Sequence, residues 1–165
     1  VADCVPTVEA CQRTGEKRTL GFNWTLRLSR RWTGNTPYAA GTRIRPSEES
    51  RHTGFEYQSS GGQTNGQAEP RWPTRLGGTV RDGSIVWTAV ALSVDSLLET
   101  ISTSDWDVPT GLTGSSEDTV DSAGLQSTEI MLTGGADGET YEVVNEIRTS
   151  AGNEYQAVLV LSIEA

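Results

Sequence analysis

Leu20, Phe22, Trp24, Leu26 and Leu28 alternate with Gly21, Asn23, Thr25, Arg27 and Ser29. A period of two held over five repeats predicts a β-strand across 20–29, the clearest strand pattern in the chain. From Arg30 to Trp87 the apolar positions come in short groups separated by dense turn signals. One strand is predicted around Arg43 to Arg45, and another carries Phe55 and Tyr57 on one face. Gly77 to Arg81 and Ser84 to Ala89 flank Asp82-Gly83, the pattern of a hairpin with a two-residue turn. Ile85, Trp87 and Ala89 then share one face. Trp72 lies between Pro70 and Pro73, where neither a helix nor a central strand forms easily.

Beyond residue 90 the texture changes to acidic and Ser/Thr-rich, with turn signals at Pro109-Thr110-Gly111, Gly134-Gly135 and Asp137-Gly138. Tyr141, Val143 and Ile147 alternate on one arm of a last hairpin, and Tyr155, Ala157, Leu159, Leu161 and Ile163 on the other. Short strands recurring every 8–12 residues or so indicate a sandwich. A brief helix fits only at Ser96 to Glu99. The pattern therefore predicts an all-β chain: an aperiodic N-terminal arm at 1–19, a small antiparallel aromatic-rich β module at 20–90 and an Ig-like β-sandwich at 91–165. The strand at 20–29 fits either folded part.

Composition supports this reading. The chain has 165 residues, 35% of them hydrophobic, and 18 glycines to serve its turns. No apolar run approaches the ~20 residues that span a bilayer, and the first residues lack the basic-then-apolar pattern of a signal peptide. Cys4 and Cys11 lie in the arm without histidine partners; they are expected as free thiols, and no zinc site follows from them.

Charge is segregated. Residues 1–90 hold twelve Lys and Arg against eight Asp and Glu, a net of +4, whereas residues 91–165 hold one basic residue, Arg148, against fourteen acidic ones, a net of −13. A subunit that meets different neighbours at its two ends fits this distribution better than a nucleic-acid binder does. The basic candidates for protein contact are Arg27, Arg30 and Arg31, grouped at the end of the 20–29 strand. If that strand continues, Arg30 and Arg31 lie on opposite sides, so at most two of the three share a face.

Catalytic chemistry has little to build on. The single histidine, His52, stands among charged loop residues and is expected to be exposed. Asp105 and Asp107 flank Trp106, and on a strand their carboxylates share a face, a spacing open to acid–base work or calcium binding but expected in so acidic a segment. No phosphate loop, nucleophile elbow or zinc-protease motif occurs. No enzyme activity, cofactor or metal is expected. The aromatics offer a better lead: Trp32, Tyr38, Phe55, Tyr57, Trp72 and Trp87 all fall in the middle module. A module with so little core spends most of its aromatics inside, about four of these six. Trp32 and Trp72 complete the set of interaction candidates.

Trp32, Tyr38, Gly41, Arg45-Pro46, Phe55, Tyr57, Glu69-Pro70, Trp72-Pro73, Asp82-Gly83 and Trp87 together resemble a small β module recurrent in tailed-phage virion proteins. The C-terminal half, from "SLLETISTSDWDVPTGLT" through "LTGGADGETYEVVNEIRTSAGNEY", is similar to the Ig-like phage fibre–tail adaptor family. The front of the middle module also resembles chitin-binding modules, but the polar run "QSSGGQTNGQ" stands where those modules carry exposed aromatics. The resemblance implies a virion protein, assembled in the host cytoplasm, that attaches fibres or spikes to the tail or neck. Its implied partners are other virion proteins, the tail or neck complex and the fibre, with identical copies in a ring and neither nucleic acid nor membrane. A capsid decoration protein and a carbohydrate-binding attachment module are the alternatives.

Overall fold

The structure is a computed structural model that describes residues 7–66, 68–122 and 124–165. Cys4 therefore lies outside the described residues. The chain is all-β: β1 (Thr7–Arg13), β2 (Lys17–Asn23), β3 (Pro37–Tyr38), β4 (Arg43–Ile44), β5 (Glu56–Ser59), β6 (Gly62–Gln63), β7 (Thr79–Asp82), β8 (Ile85–Val90), β9 (Ile101–Asp107), β10 (Leu112–Ser122), β11 (Leu125–Gly134), β12 (Thr140–Thr149) and β13 (Glu154–Glu164). Among the described residues, helix is confined to one α-turn at Thr25–Leu28 and two short 3-10 turns.

The strands form two compact units. The first runs up to Asn23 and takes in Glu99–Asp121 and Gln126–Ala165; the second is Trp24–Leu98 with Ser122–Leu125.

In the first unit one sheet has the order β1-β13-β12-β9 and the other β10-β11-β2. Alternation decides which side is buried: Val143, Asn145 and Ile147 of β12 and Ala157, Leu159, Leu161 and Ile163 of β13 point inward, with Ile130 and Leu132 of β11. Links between the two sheets confirm a sandwich. Thr128 Oγ1 of β11 donates to Asn145 Oδ1 of β12 at 2.7 Å, and Phe22 of β2 stacks on Trp106 of β9 with centroids 5.7 Å apart. The last hairpin forms as its alternation predicts, with Tyr141 opposite Leu161 and Val143 opposite Leu159.

Residues 7–19 depart from the expected arm. β1 pairs in parallel with β13, from Thr7 opposite Val158 to Arg13 opposite Glu164, and β2 pairs antiparallel with β11. Both strands are mostly polar because each lies at a sheet edge and buries little. In β1 only Gln12 is fully buried, so backbone pairing holds the strand and leaves no hydrophobic period to read.

The 20–29 strand also departs from expectation. It ends at Asn23, and Thr25–Leu28 makes a helical turn in which Leu28 N donates to Trp24 O at 3.1 Å. Trp24 and Leu28, four apart, are both buried, a spacing that serves a helical face as well as alternate strand positions. The division between the units falls here and at Leu98/Glu99, not at residue 90.

Glu99 fastens the end of the last hairpin. Its carboxylate accepts from Thr149 Oγ1 at 2.5 Å, Asn153 Nδ2 at 2.9 Å and the Tyr155 hydroxyl at 2.8 Å. Burial pushes this carboxyl up, but the three donors outweigh it and hold it below its ordinary value. A carboxyl depressed in the folded state adds stability above its unfolded pKa and loses it as pH falls through the folded one. Glu99→Gln is therefore expected to lower the thermal midpoint at pH 7 and to flatten its decline on acidification below pH ~4.5. Parallel melting curves for the two proteins across that range would remove Glu99 as an acid-sensitive clamp.

In the second unit, β4-β5-β8-β7 form one sheet and β3-β6 a ribbon. Asp82 pairs with Ile85, so the two-residue turn is Gly83-Ser84, one position beyond the expected pair. Only Gly83 has positive φ (61°), the sign pattern of a type II′ turn, and a Cβ there would lie 2.3 Å from Gln63 O. Tyr38, Ile44, Tyr57, Trp72, Ile85, Trp87 and Ala89 form the core, with Trp32, Phe55 and Val80 packed against it.

Candidate functional site: an arginine groove over a buried ion pair

The alternating face of β8 puts Trp87 at the centre of an aromatic stack. Tyr38 meets it edge-on at 5.2 Å, Trp72 edge-on at 6.0 Å, and Trp72 stacks on Tyr57 at 4.2 Å. The polar atoms of these rings are engaged. Trp72 Nε1 donates to Glu69 Oε1 at 2.7 Å, Trp32 Nε1 to Asp82 Oδ2 at 2.7 Å, and the Tyr57 hydroxyl to Pro73 O at 2.8 Å. Burial pushes the Tyr57 hydroxyl up, opposed by its hydrogen bond with Thr53. Tyr38, Tyr57, Trp72 and Trp87 are buried, so Trp72, an interaction candidate in the sequence, is a core residue at 6% exposure. Trp32 is half-buried against the same core. These rings frame the module, and they do not present the exposed pair that sugar stacking needs.

Beside this core lies a cluster that sequence reasoning missed. Arg45 and Glu56 are 1% and 0% exposed, joined by Arg45 Nη2 to Glu56 Oε1 at 3.1 Å. Arg45 also donates through Nε to Ser96 Oγ at 3.0 Å and through Nη2 to Gly124 O at 2.8 Å, and its Nη1 lies 3.3 Å from His52 Nε2. Glu56 accepts from Ser93 N, Ser93 Oγ and Ser96 Oγ at 2.9, 3.1 and 2.7 Å. A buried pair of this kind is tolerable only when its remaining donors and acceptors are satisfied, as these are. His52, expected to be exposed, is partly covered by this contact. Only the "RP" of Arg45-Pro46 hinted at Arg45, because a buried ion pair leaves no periodic trace in a sequence.

The cluster positions the arginines. Arg45 N donates to Arg30 O and Trp32 N to Arg45 O, both at 2.9 Å, while Arg30 N donates to Ser96 O at 2.6 Å. Arg31 is also held from its other side, where its carbonyl accepts from the Tyr38 hydroxyl at 3.3 Å. With the strand interrupted at Asn23, the side restriction expected for Arg27, Arg30 and Arg31 does not apply. All three line one open groove of about 630 Å³ with Tyr38, Thr42 and the 63%-exposed Leu98. Among the described residues, the guanidinium groups of Arg30 and Arg31 meet no carboxylate.

In the first unit, Asp105 and Asp107 point outward from β9. Asp105 stands directly opposite Glu146 of β12, in a shallow cleft with Arg148, Glu154 and Gln156. Among the described residues no group of three or more His, Cys, Asp or Glu could hold a metal ion, and no helix is long and apolar enough to cross a membrane.

A family model described as podophage GP4 fiber-tail adaptor protein gp77 matches residues 78–162, just over half of the chain. The chain belongs to this family. The matched span opens at β7 and closes within β13, so the adaptor family shares elements of both units. No curated protein and no solved structure matches the chain. Membership makes it a phage tail protein of structural type whose partners are other tail proteins.

Proposed function

We propose that this chain is a non-enzymatic adaptor in the virion of a tailed phage, attaching fibres or spikes to the tail or neck as one of several identical copies around the tail axis. The family match across elements of both units carries this reading. Its support in the structure is a chain organised as surfaces: an arginine groove on one unit, an acidic sheet face on the other, and aromatics withdrawn into a core. The first unit serves as the Ig-like sandwich of the adaptor, supported by its two facing sheets and alternating core. Multivalent attachment follows from repetition, since copies held in fixed geometry bind together far more tightly than each binds alone.

Cryo-electron microscopy of particles made with and without the chain tests the reading. Particles lacking it are expected to keep filled heads and a tail and to lose their fibres. Density for the chain on the head shell, or fibres retained in its absence, would overturn the adaptor role, and the former would make it a decoration protein.

A further inference from the structure

Two surfaces on this chain complement each other. The groove of the second unit offers Arg27, Arg30 and Arg31 around the exposed Leu98. The outward face of the β9-β12-β13 sheet offers the reverse. Asp105 and Glu146 stand directly opposite each other, a like-charge cross-strand pair that costs stability unless a cation lies over it. Asp107 lies opposite Val144, which in turn faces Val158, and Glu142 faces Val160. These valines are half-buried, so the face has an apolar centre with carboxylates beside it. Its cation, Arg148, is already engaged by Glu154 at 3.7 Å.

We infer that the arginine groove of one copy takes the carboxylate-bearing outward face of β9 and β12 on a second copy, joining subunits head to tail. Arginine forks match carboxylates in two-pronged pairs, which fixes register as well as sign. Leu98 meets the valine centre, so apolar burial accompanies the ion pairs. A second copy is the occupant because both complementary surfaces stand on every chain, and a contact between unlike patches repeats from copy to copy. The opposite net charges of the two units, +3 for the one that bears the groove and −12 for the one that bears the acidic face, favour the encounter of these unlike surfaces. The inference rests on the reading of this chain as one of several identical copies, but its test needs no virion.

Sedimentation of the purified chain over a wide concentration range, at low and moderate salt, measures the contact. The wild-type chain is expected to self-associate and to do so less as salt rises. Arg30→Glu with Arg31→Glu, and separately Asp105→Lys with Glu146→Lys, are each expected to weaken association by about tenfold or more while leaving the melting midpoint near wild type. A chain carrying all four changes restores a groove and a face of opposite sign and should recover association, which a folding defect would not. A wild-type chain that stays monomeric throughout, reversals without effect, or a fourfold variant no stronger than the double ones would each overturn the contact. Fibres retained on particles that lack the chain, with self-association of the purified chain intact, would overturn the adaptor role and leave the contact between copies standing.

Discussion

Arg45→Met is expected to destabilise the second unit by about 3–5 kcal/mol, the cost of leaving a buried carboxylate without its cation. Glu56 is 0% exposed and has Arg45 at 3.1 Å; Arg43 is farther, 3.7 Å from Oε2 and 26% exposed. Removing Arg45 also takes a donor from the Gly124 carbonyl and one contact each from Ser96 Oγ and the His52 ring. Substituting Glu56→Met as well removes the stranded charge, so the double variant should lose less than the sum of the two single losses. The Ser93 and Ser96 donors still lose their acceptor, which keeps the double variant below wild type. Urea unfolding followed by tryptophan fluorescence measures all three. A loss under about 1 kcal/mol for Arg45→Met would mean that water reaches the pair as it does on a surface. Because the Arg45 side chain holds Ser96, whose carbonyl accepts from Arg30 N, the same variant should loosen the arginine groove before the unit unfolds, seen as faster amide exchange at Arg30.

Trp72→Ala is expected to cost about 3–5 kcal/mol, the range for emptying a large aromatic site. The indole lies 4.2 Å from the Tyr57 ring and meets Trp87 edge-on, so its removal takes the stacked ring from Tyr57, one of two edge-on rings from Trp87 and the Nε1 donor from Glu69. Trp72→Phe keeps a ring but not the donor and should recover a large part of the loss. Trp32→Ala, at a half-buried position, should cost less. Thermal unfolding of the three variants checks the order. A stable Trp72→Ala chain that had lost binding to a glycan would return this residue to the surface and revive a sugar-binding role. The same melting loss with fibre attachment affected only in proportion would confirm it as core.

Much of the fold was legible in residue order. Ile85, Trp87 and Ala89, and the run from Ala157 to Ile163, were readable as buried faces because a strand with one side in the core must alternate. Glycines marked turns: Gly83, Gly138 and Gly152 all have positive φ, which few other residues adopt cheaply. The virion resemblance rested on the same turn-and-aromatic spacing. Tertiary structure decided the rest. β1 gives no signal because an edge strand is held by backbone pairing, and the backbone is the same for every sequence. Trp24 and Leu28 were ambiguous because the spacing of four satisfies both a helical turn and a strand, and only the surrounding core selects between them. The groove of Arg27, Arg30 and Arg31 exists because the chain turns at Asn23, and the Arg45–Glu56 pair because β4 and β5 are neighbours. Ion pairs and grooves are made by residues far apart in sequence, where charge at one position says nothing of what folding will set beside it.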